Sequence, residues 1–337
     1  MKITAKLGAL ALAGVLFAGG AVQAQEMKFW RIGTGSAGGT YFPIGGLIAN
    51  AISNPPGSRP CDKGGSCGVP GLVAIAQSTN ASAHNVTAIH AGQMEAGLTG
   101  AATLFFAYHG TEKFEGKAKK KLRIIANVFP EDLHLVLPKG KKLGSLKELE
   151  GKRVGIAQAG SGTQIAVELM LAEQGITRDN IQEAELNNTQ SAERIADGQL
   201  DAYFYAAGTP VAAMIQLDNT KGMDLYNFTD EEIVTSNKAV PYYIRSVIPA
   251  GTYAGVKYDV NTLAVSGILA TSSDQDEELI YQITKTLWSD HTRRLLDTGH
   301  AKGKAITLET ALDGIINMKV PIHPGAERFY KEVGMLK

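Results

Sequence analysis

Gly33-Thr34-Gly35-Ser36-Ala37-Gly38-Gly39-Thr40, set between the strand-like Phe29-Trp30-Arg31-Ile32 and a helical pattern from Tyr41 to Ile52, decides the reading of this chain. A Gly/Ser/Thr-rich turn joining an apolar strand to a helix is the connection of an α/β unit. It leaves the first N–H groups of the helix unpaired, its small side chains admit a ligand, and the helix dipole favours negative charge there. Ala159-Gly160-Ser161-Gly162-Thr163, after Arg153-Val154-Gly155-Ile156-Ala157, repeats the device. Two such cradles predict two lobes, each offering one to a shared anionic ligand.

The flanking pattern extends this frame. Leu72 to Ala76 reads as a strand running into Gln77-Ser78-Thr79-Asn80, and a helix follows through Asn85 to about Ala91. Ser78, Thr79 and Asn85 thus gather at a third strand end, the place where open α/β sheets bind ligands. Gly97 to Ala107 reads as a small-residue strand and turn, Leu122 to Val128 as a strand, and Leu133 to Pro138 as an extended run passing between lobes. Leu146 to Lys152 reads as a short helix. Thr163 is expected to cap the helix Gln164 to Gln174. Ala202 to Pro210 is a strand turning into a helix, Val260 to Thr271 returns the chain to the first lobe, and Glu277 to Leu296 is one long amphipathic helix.

Lys2 and Lys6, the apolar Leu7 to Ala18 and the small residues Ala21-Val22-Gln23-Ala24 form an export signal, with cleavage expected after Ala24. Its apolar core is shorter than the roughly 20 residues that span a bilayer. The mature chain is therefore expected to be exported and not itself membrane-spanning. The remainder of the 337 residues suits two lobes of roughly 150 residues. A formal net charge of zero gives no electrostatic case for nucleic acid or an anionic membrane. Cys61 and Cys67 are the only cysteines. Export permits oxidation and Gly64-Gly65 lets the chain double back, so a local disulfide is expected, with free thiols as the alternative.

Several chemistries are excluded. Gly33-x-Gly35-x-x-Gly38 matches a dinucleotide fingerprint, but Ser53 and Asn54 stand where its acidic residue belongs. Neither cradle has the Gly-Lys-Ser/Thr ending of a phosphate loop. Ser161 is not in a Gly-x-Ser-x-Gly elbow. The seven histidines show no metal-ligand spacing, so neither metal nor cofactor is expected. Tyr203 and Tyr205 share one strand face and read as core or cleft wall. What survives is anion binding by the amides near Gly39, Thr40 and Tyr41 with the Thr40 hydroxyl, and by the turn Ser161-Gly162-Thr163.

Ile32-Gly33-Thr34-Gly35 through Gly39-Thr40-Tyr41-Phe42-Pro43-Ile44-Gly45, Gly68 to Ala74, Gln77 to Ser82 with Asn85, Gly151-Lys152-Arg153-Val154 with Gly160 to Thr163, Asp201 to Tyr205, and Ile248 to Tyr253 occur in an order that resembles a known family. It is the solute receptor of tripartite ATP-independent periplasmic (TRAP) transporters, TAXI subfamily. The resemblance implies a type II periplasmic binding-protein fold, two α/β lobes joined by a hinge. It implies lobe I from 25–132 and 268–337, lobe II from 133–267, and residues 1–24 as the signal peptide. Its function would be that of a non-enzymatic periplasmic receptor, passing glutamate or a dicarboxylate such as 2-oxoglutarate to a membrane TRAP permease. On matching positions the ligand shell is Gly39, Thr40, Tyr41, Ser78, Thr79, Asn85, Ser161, Gly162 and Thr163, with Gly208 nearby. This chain departs at Leu98-Thr99-Gly100-Ala101, where relatives commonly carry Gln and Asp. The hinge is expected near Phe129 to Leu135 and Asn261 to Leu269. An exported enzyme using the same cleft is the rival reading, and Arg245 is read as an exposed surface residue.

Overall fold

Leu122 to Pro138 forms a single strand of 17 residues, continuous through Pro130-Glu131-Asp132, where the sequence reading breaks it. It organises everything around it. The computed structural model describes residues 27–337; the expected export signal lies outside the described residues.

In chain order the elements are β1 (Lys28–Gly33), α1 (Tyr41–Ile52), β2 (Ser53–Asn54), β3 (Val69–Pro70), β4 (Leu72–Gln77), α2 (Ser82–His90), β5 (Ala96–Gly100), α3 (Ala101–His109) and β6 (Leu122–Pro138). There follow β7 (Arg153–Gly155), α4 (Gly162–Glu173), β8 (Gln182–Ala184), α5 (Asn188–Ala196), β9 (Ala202–Ala207), α6 (Ala212–Thr220), β10 (Met223–Leu225), α7 (Asp230–Ala239) and β11 (Tyr243–Ile248). The chain closes with β12 (Val260–Ser272), α8 (Glu277–Leu287), α9 (Asp290–Gly299) and α10 (Pro324–Glu332).

The principal sheet runs β4-β1-β5-β12-β6-β9-β7-β8, with β10 beside β6 and β11 beside β12. The fold is mixed α/β with two lobes. In the first, β1 lies parallel to β4 and β5. In the second, β7 lies parallel to β8 and β9. β12 and β6, antiparallel to each other, serve both. One end of β12 pairs with β5 and its other end with β11. β6 pairs with β9 and β10 over Asp132 to Pro138. Their mutual register shifts between Gly267 and Ile268 and again between Leu269 and Ala270.

Alternation along the strands sorts the core. Leu133, Leu135 and Leu137 of β6 join the larger apolar cluster, which runs from Trp30 and Ile32 through both lobes. Val136, Tyr203 and Tyr205 face the opposite way, into a smaller cluster with Met214 and Tyr253. No helix among the described residues is long and apolar enough to cross a membrane.

Three sequence expectations are corrected. The segment read as strand and turn contains α3, in which Ala101, Ala102, Leu104, Phe106 and Ala107 are buried. A helix surrounded by protein shows no polar stripe, so its period is masked. The C-terminal helix is two helices, because Ser289 caps α9 by accepting from the Thr292 amide. The cap of α4 is Ser161, accepting from Gln164 N at 3.1 Å, rather than Thr163.

Cys61 and Cys67 are joined, with Cα atoms 4.7 Å apart, in an exposed loop beside the small β2–β3 pair. The loop is short, so little chain entropy is removed on cross-linking. Replacing both cysteines by serine is expected to lower unfolding free energy by about 2 kcal/mol, read by urea denaturation, and to leave ligand affinity unchanged.

Candidate functional site

The two Gly-rich turns face a common cleft. From the first lobe it is lined by Thr40 and Tyr41 at the start of α1, Ala81 and Ser82 before and within α2, and Gly100, Ala102 and Thr103 where β5 becomes α3. From the second come Gln158, Ser161, Gly162 and Thr163 at the start of α4, Tyr205 to Ala207 on β9, and Tyr243 on β11. Glu131 and Val265, on the two shared strands, form its floor. The empty volume between these side chains, its open mouth included, is about 500 Å³.

The amides of Tyr41 and Phe42, and those of Gly162 and Thr163, take no partner among the described residues. They are the groups a carboxylate would use. Gly162 also lets the lobes approach, since a Cβ there would stand 2.8 Å from the hydroxyls of both Ser82 and Thr103.

Of the residues singled out from sequence, Thr40, Tyr41, Ser161, Gly162 and Thr163 therefore meet in one cleft. Gly39 and Gly208 sit just behind its wall. A methyl group on Gly39 would strike the Tyr205 hydroxyl, and the Gly208 carbonyl accepts the Thr40 hydroxyl at 2.5 Å. Ser78, Thr79 and Asn85 are not brought to the lining; they clamp the strand ends behind it. Ser78 donates to Gly35 O, Thr79 to Thr34 O and Asn85 Oδ1, and Asn85 to Thr34 O and Leu98 O. Their polar atoms are spent on backbone and on one another. Arg245 lies apart, paired with Asp230 at 2.7 Å.

The turns also touch across the lobes. Gly160 O accepts from the amides of Ala83 and His84 at the start of α2. Gly38 O accepts from Ala213 N at the start of α6 and from Asn188 Nδ2. Each cradle thus lends a carbonyl to the helix terminus opposite, so the unpaired amides of α2 and α6 are satisfied by the other half.

Sequence reasoning missed Glu131 and Gln158. Glu131 is 5% exposed and receives the Tyr41 hydroxyl at 2.5 Å on Oε1. Burial pushes its carboxyl up to about 8, against the pull of the Tyr41 hydrogen bond and the Lys302 charge, while Asp132 adds to the rise. Burial likewise raises the phenols of Tyr41, Tyr205 and Tyr243, with Glu131 adding to each. The signal in the sequence was the acidic pair Glu131-Asp132 interrupting an apolar run, since a strand buried on both faces has no cheap place for a carboxylate. Gln158 carried no such mark.

Backbone strain gathers at the same place. Of five non-glycine residues at positive φ among the described residues, Ala81 (68°) lines the cleft, Ala157 (69°) precedes Gln158, and Tyr242 (68°) precedes Tyr243. Such conformations cost free energy and cluster where side chains must be aimed.

A raised carboxyl pKa has a stability consequence. The unfolded Glu131 loses its proton near its ordinary value of 4.5, the folded one near 8. Between those limits the native state holds the extra proton, so stability falls as pH rises, by up to about 1.4 kcal/mol per pH unit. Glu131→Gln is expected to flatten that slope and to be the more stable protein at pH 8, measured by urea denaturation at pH 5 and pH 8.

Residues 32–334 match the NMT1-like family. Among solved structures the chain is similar to a protein of Bordetella bronchiseptica RB50, at 15% identity over 90% of this chain and 82% of that one, TM-score 0.50. It is similar also to a putative L-cystine ABC transporter protein of Listeria monocytogenes, at 15% identity over 84% and 100%, TM-score 0.49. A third is the alkanesulfonate-binding protein SsuA from Xanthomonas axonopodis pv. citri, bound to MOPS, at 19% identity over 91% and 85%, TM-score 0.46. At such identities the likeness is one of fold.

Proposed function

The chain belongs to the NMT1-like family, and from that premise we propose that it is an extracytoplasmic solute receptor. It captures a small carboxylate, glutamate-like or a dicarboxylate such as 2-oxoglutarate, and delivers it to a TRAP-type membrane permease. Lobe I comprises 25–132 and 268–337, lobe II 133–267, and the protein acts after export and removal of residues 1–24.

One observation carries the reading: the amide-rich starts of α1 and α4, from opposite lobes, line one cleft. A ligand that bridges them binds fully only when the lobes are together, so its binding free energy drives closure. β6 and β12 are the strands that pass through both lobes, and bending where their register shifts near Gly267 would open the cleft. Thr40, Tyr41, Ser161, Gly162 and Thr163 make the direct contacts; Gly39, Gly208, Ser78, Thr79 and Asn85 hold the turns in place.

Native mass spectrometry of the exported protein should detect a co-purifying small acid. A metabolite panel should then raise the melting temperature without any turnover of the acid. Thr40→Val with Ser161→Ala is expected to remove that thermal shift while the protein stays folded. Consumption of the acid would favour an enzyme instead, and an undiminished shift in the double variant would place the site elsewhere.

A further inference from the structure

Two side-chain contacts on the flank of the cleft join the lobes without any part in its lining. Lys113, just beyond α3 of the first lobe, places Nζ 2.8 Å from Glu168 Oε2 and donates at 3.3 Å to Gln164 Oε1, both on α4 of the second. Phe105 of α3 meets Tyr242, between α7 and β11, with ring centroids 5.2 Å apart. Lys113, Glu168, Phe105 and Tyr242 do not line the cleft.

The charge balance explains why a lysine stands there. Glu168, Glu183 and Glu185 of the second lobe gather round Arg178: Glu168 accepts from its Nη2, and the other two from its Nη1 at 2.7 and 3.1 Å. Three carboxylates around one guanidinium leave negative charge uncompensated. Lys113 is the cation that the first lobe brings to them. Gln164 passes the contact on, since its Oε1 also takes the Gly160 amide and its Nε2 donates to Glu185. The lysine therefore bears on the turn that carries the second cradle.

Strained backbone marks the same contacts. Glu112 (φ 52°) immediately precedes Lys113, and Tyr242 (φ 68°) makes the ring contact itself. Ala81 (φ 68°) leads into α2, whose Ala83 and His84 amides donate to Gly160 O across the lobes. Such conformations persist only where surrounding contacts hold them. Here those contacts come from the opposite lobe, so parting the lobes lets the backbone relax. The strength of the junction is the sum of its contacts less that strain.

Resting on the receptor reading, we propose that Lys113 and Phe105 are positioning residues of a latch that closes the lobes without touching the ligand. The receptor then populates its closed form before a ligand arrives, and the latch sets how tightly any ligand binds overall. Observed affinity is the intrinsic affinity of the closed form scaled by the fraction of molecules already closed. Lys113 and Glu168 are 43% and 22% exposed, and a pair so open to solvent shifts the balance by only about threefold. An aromatic pair shifts it by up to about tenfold.

Single-molecule energy transfer between dyes on Asn50→Cys and Asp197→Cys tests this in dialysed protein with no ligand added. Both positions are exposed, near the ends of α1 and α5. Cys61 and Cys67 are bonded to each other and take no dye. The wild type should show a closed fraction. Lys113→Met should lower the closed-to-open ratio about threefold, Phe105→Ala up to about tenfold, and Lys113→Arg should keep the wild-type ratio. Added salt should open the wild type and leave Lys113→Met where it is. Calorimetry with L-glutamate and 2-oxoglutarate should show affinity falling in step with the closed fraction. Lys113→Met should keep the wild-type urea midpoint, so the test holds if Phe105→Ala misfolds. A wild type with no closed molecules, or one ratio shared by the wild type and both variants at every salt concentration, overturns the latch. The receptor then stands if either acid still raises the melting temperature. If neither acid binds and nothing co-purifies, the receptor reading falls, and the dyes still decide the latch.

Discussion

A valine at Gly162 is expected to abolish ligand-induced stabilisation and to hold the lobes apart, while the protein remains folded. Even the first added carbon would stand 2.8 Å from the Ser82 and Thr103 hydroxyls, which belong to the opposite lobe. The clash therefore appears on closure and not within either lobe. Overpacking of this kind costs about 1–3 kcal/mol, which predicts a roughly 5- to 150-fold loss of affinity. Small-angle scattering should show a larger radius of gyration for the variant in the presence of ligand. A variant as compact as the wild type, with its thermal shift intact, would show that the lobes do not meet at Gly162.

Lys302→Met is expected to be the most destabilising single change beneath the floor of the cleft. Lys302 and Asp132 are 13% and 9% exposed and form an ion pair at 3.9 Å. Burial holds the lysine below its ordinary pKa, with Asp132 and Glu131 opposing that drop. Taking away one member of a buried pair strands the other, at about 3–5 kcal/mol; the hydroxyls of Thr209 and Ser246 on Asp132 favour the lower end. Adding Asp132→Asn should restore much of the loss, since the two changes act on one contact. Urea midpoints of the single and double variants decide it. A single-variant loss below about 1 kcal/mol would show that the pair behaves as a surface one.

The fold was largely legible because its strands and helices announce themselves locally. Ile32-Gly33 followed by a glycine-rich turn reads the same in the chain and in the structure, where α1 begins at Tyr41. Helix α3 was hidden because burial on every side left no polar face to reveal its period. β6 was cut in two because Pro130-Glu131-Asp132 reads locally as a stop, and only pairing with β12 and β9 carries the strand through it. The site was legible in part. The turns at Thr40 and Ser161 declare their amides through composition. Ser78, Thr79 and Asn85 have the right chemistry at a strand end, yet their hydrogen bonds close on neighbouring backbone. Glu131 and Gln158 become neighbours of the cleft only through tertiary packing, which no local window contains.

The two strands common to both halves restrict how this gene can change length. Beyond its two register shifts side chains alternate along β6, so inserting or deleting one codon between Pro130 and Glu131 would turn Glu131 and every later residue of the strand to the opposite face. Glu131 would leave the cleft, and Leu133, Leu135 and Leu137 would exchange places with Val136 in a single step. The exposed stretch around Cys61 has no such coupling. Indels should therefore be tolerated in that loop and purged from β6, a contrast that deep scanning of single-codon insertions would display directly.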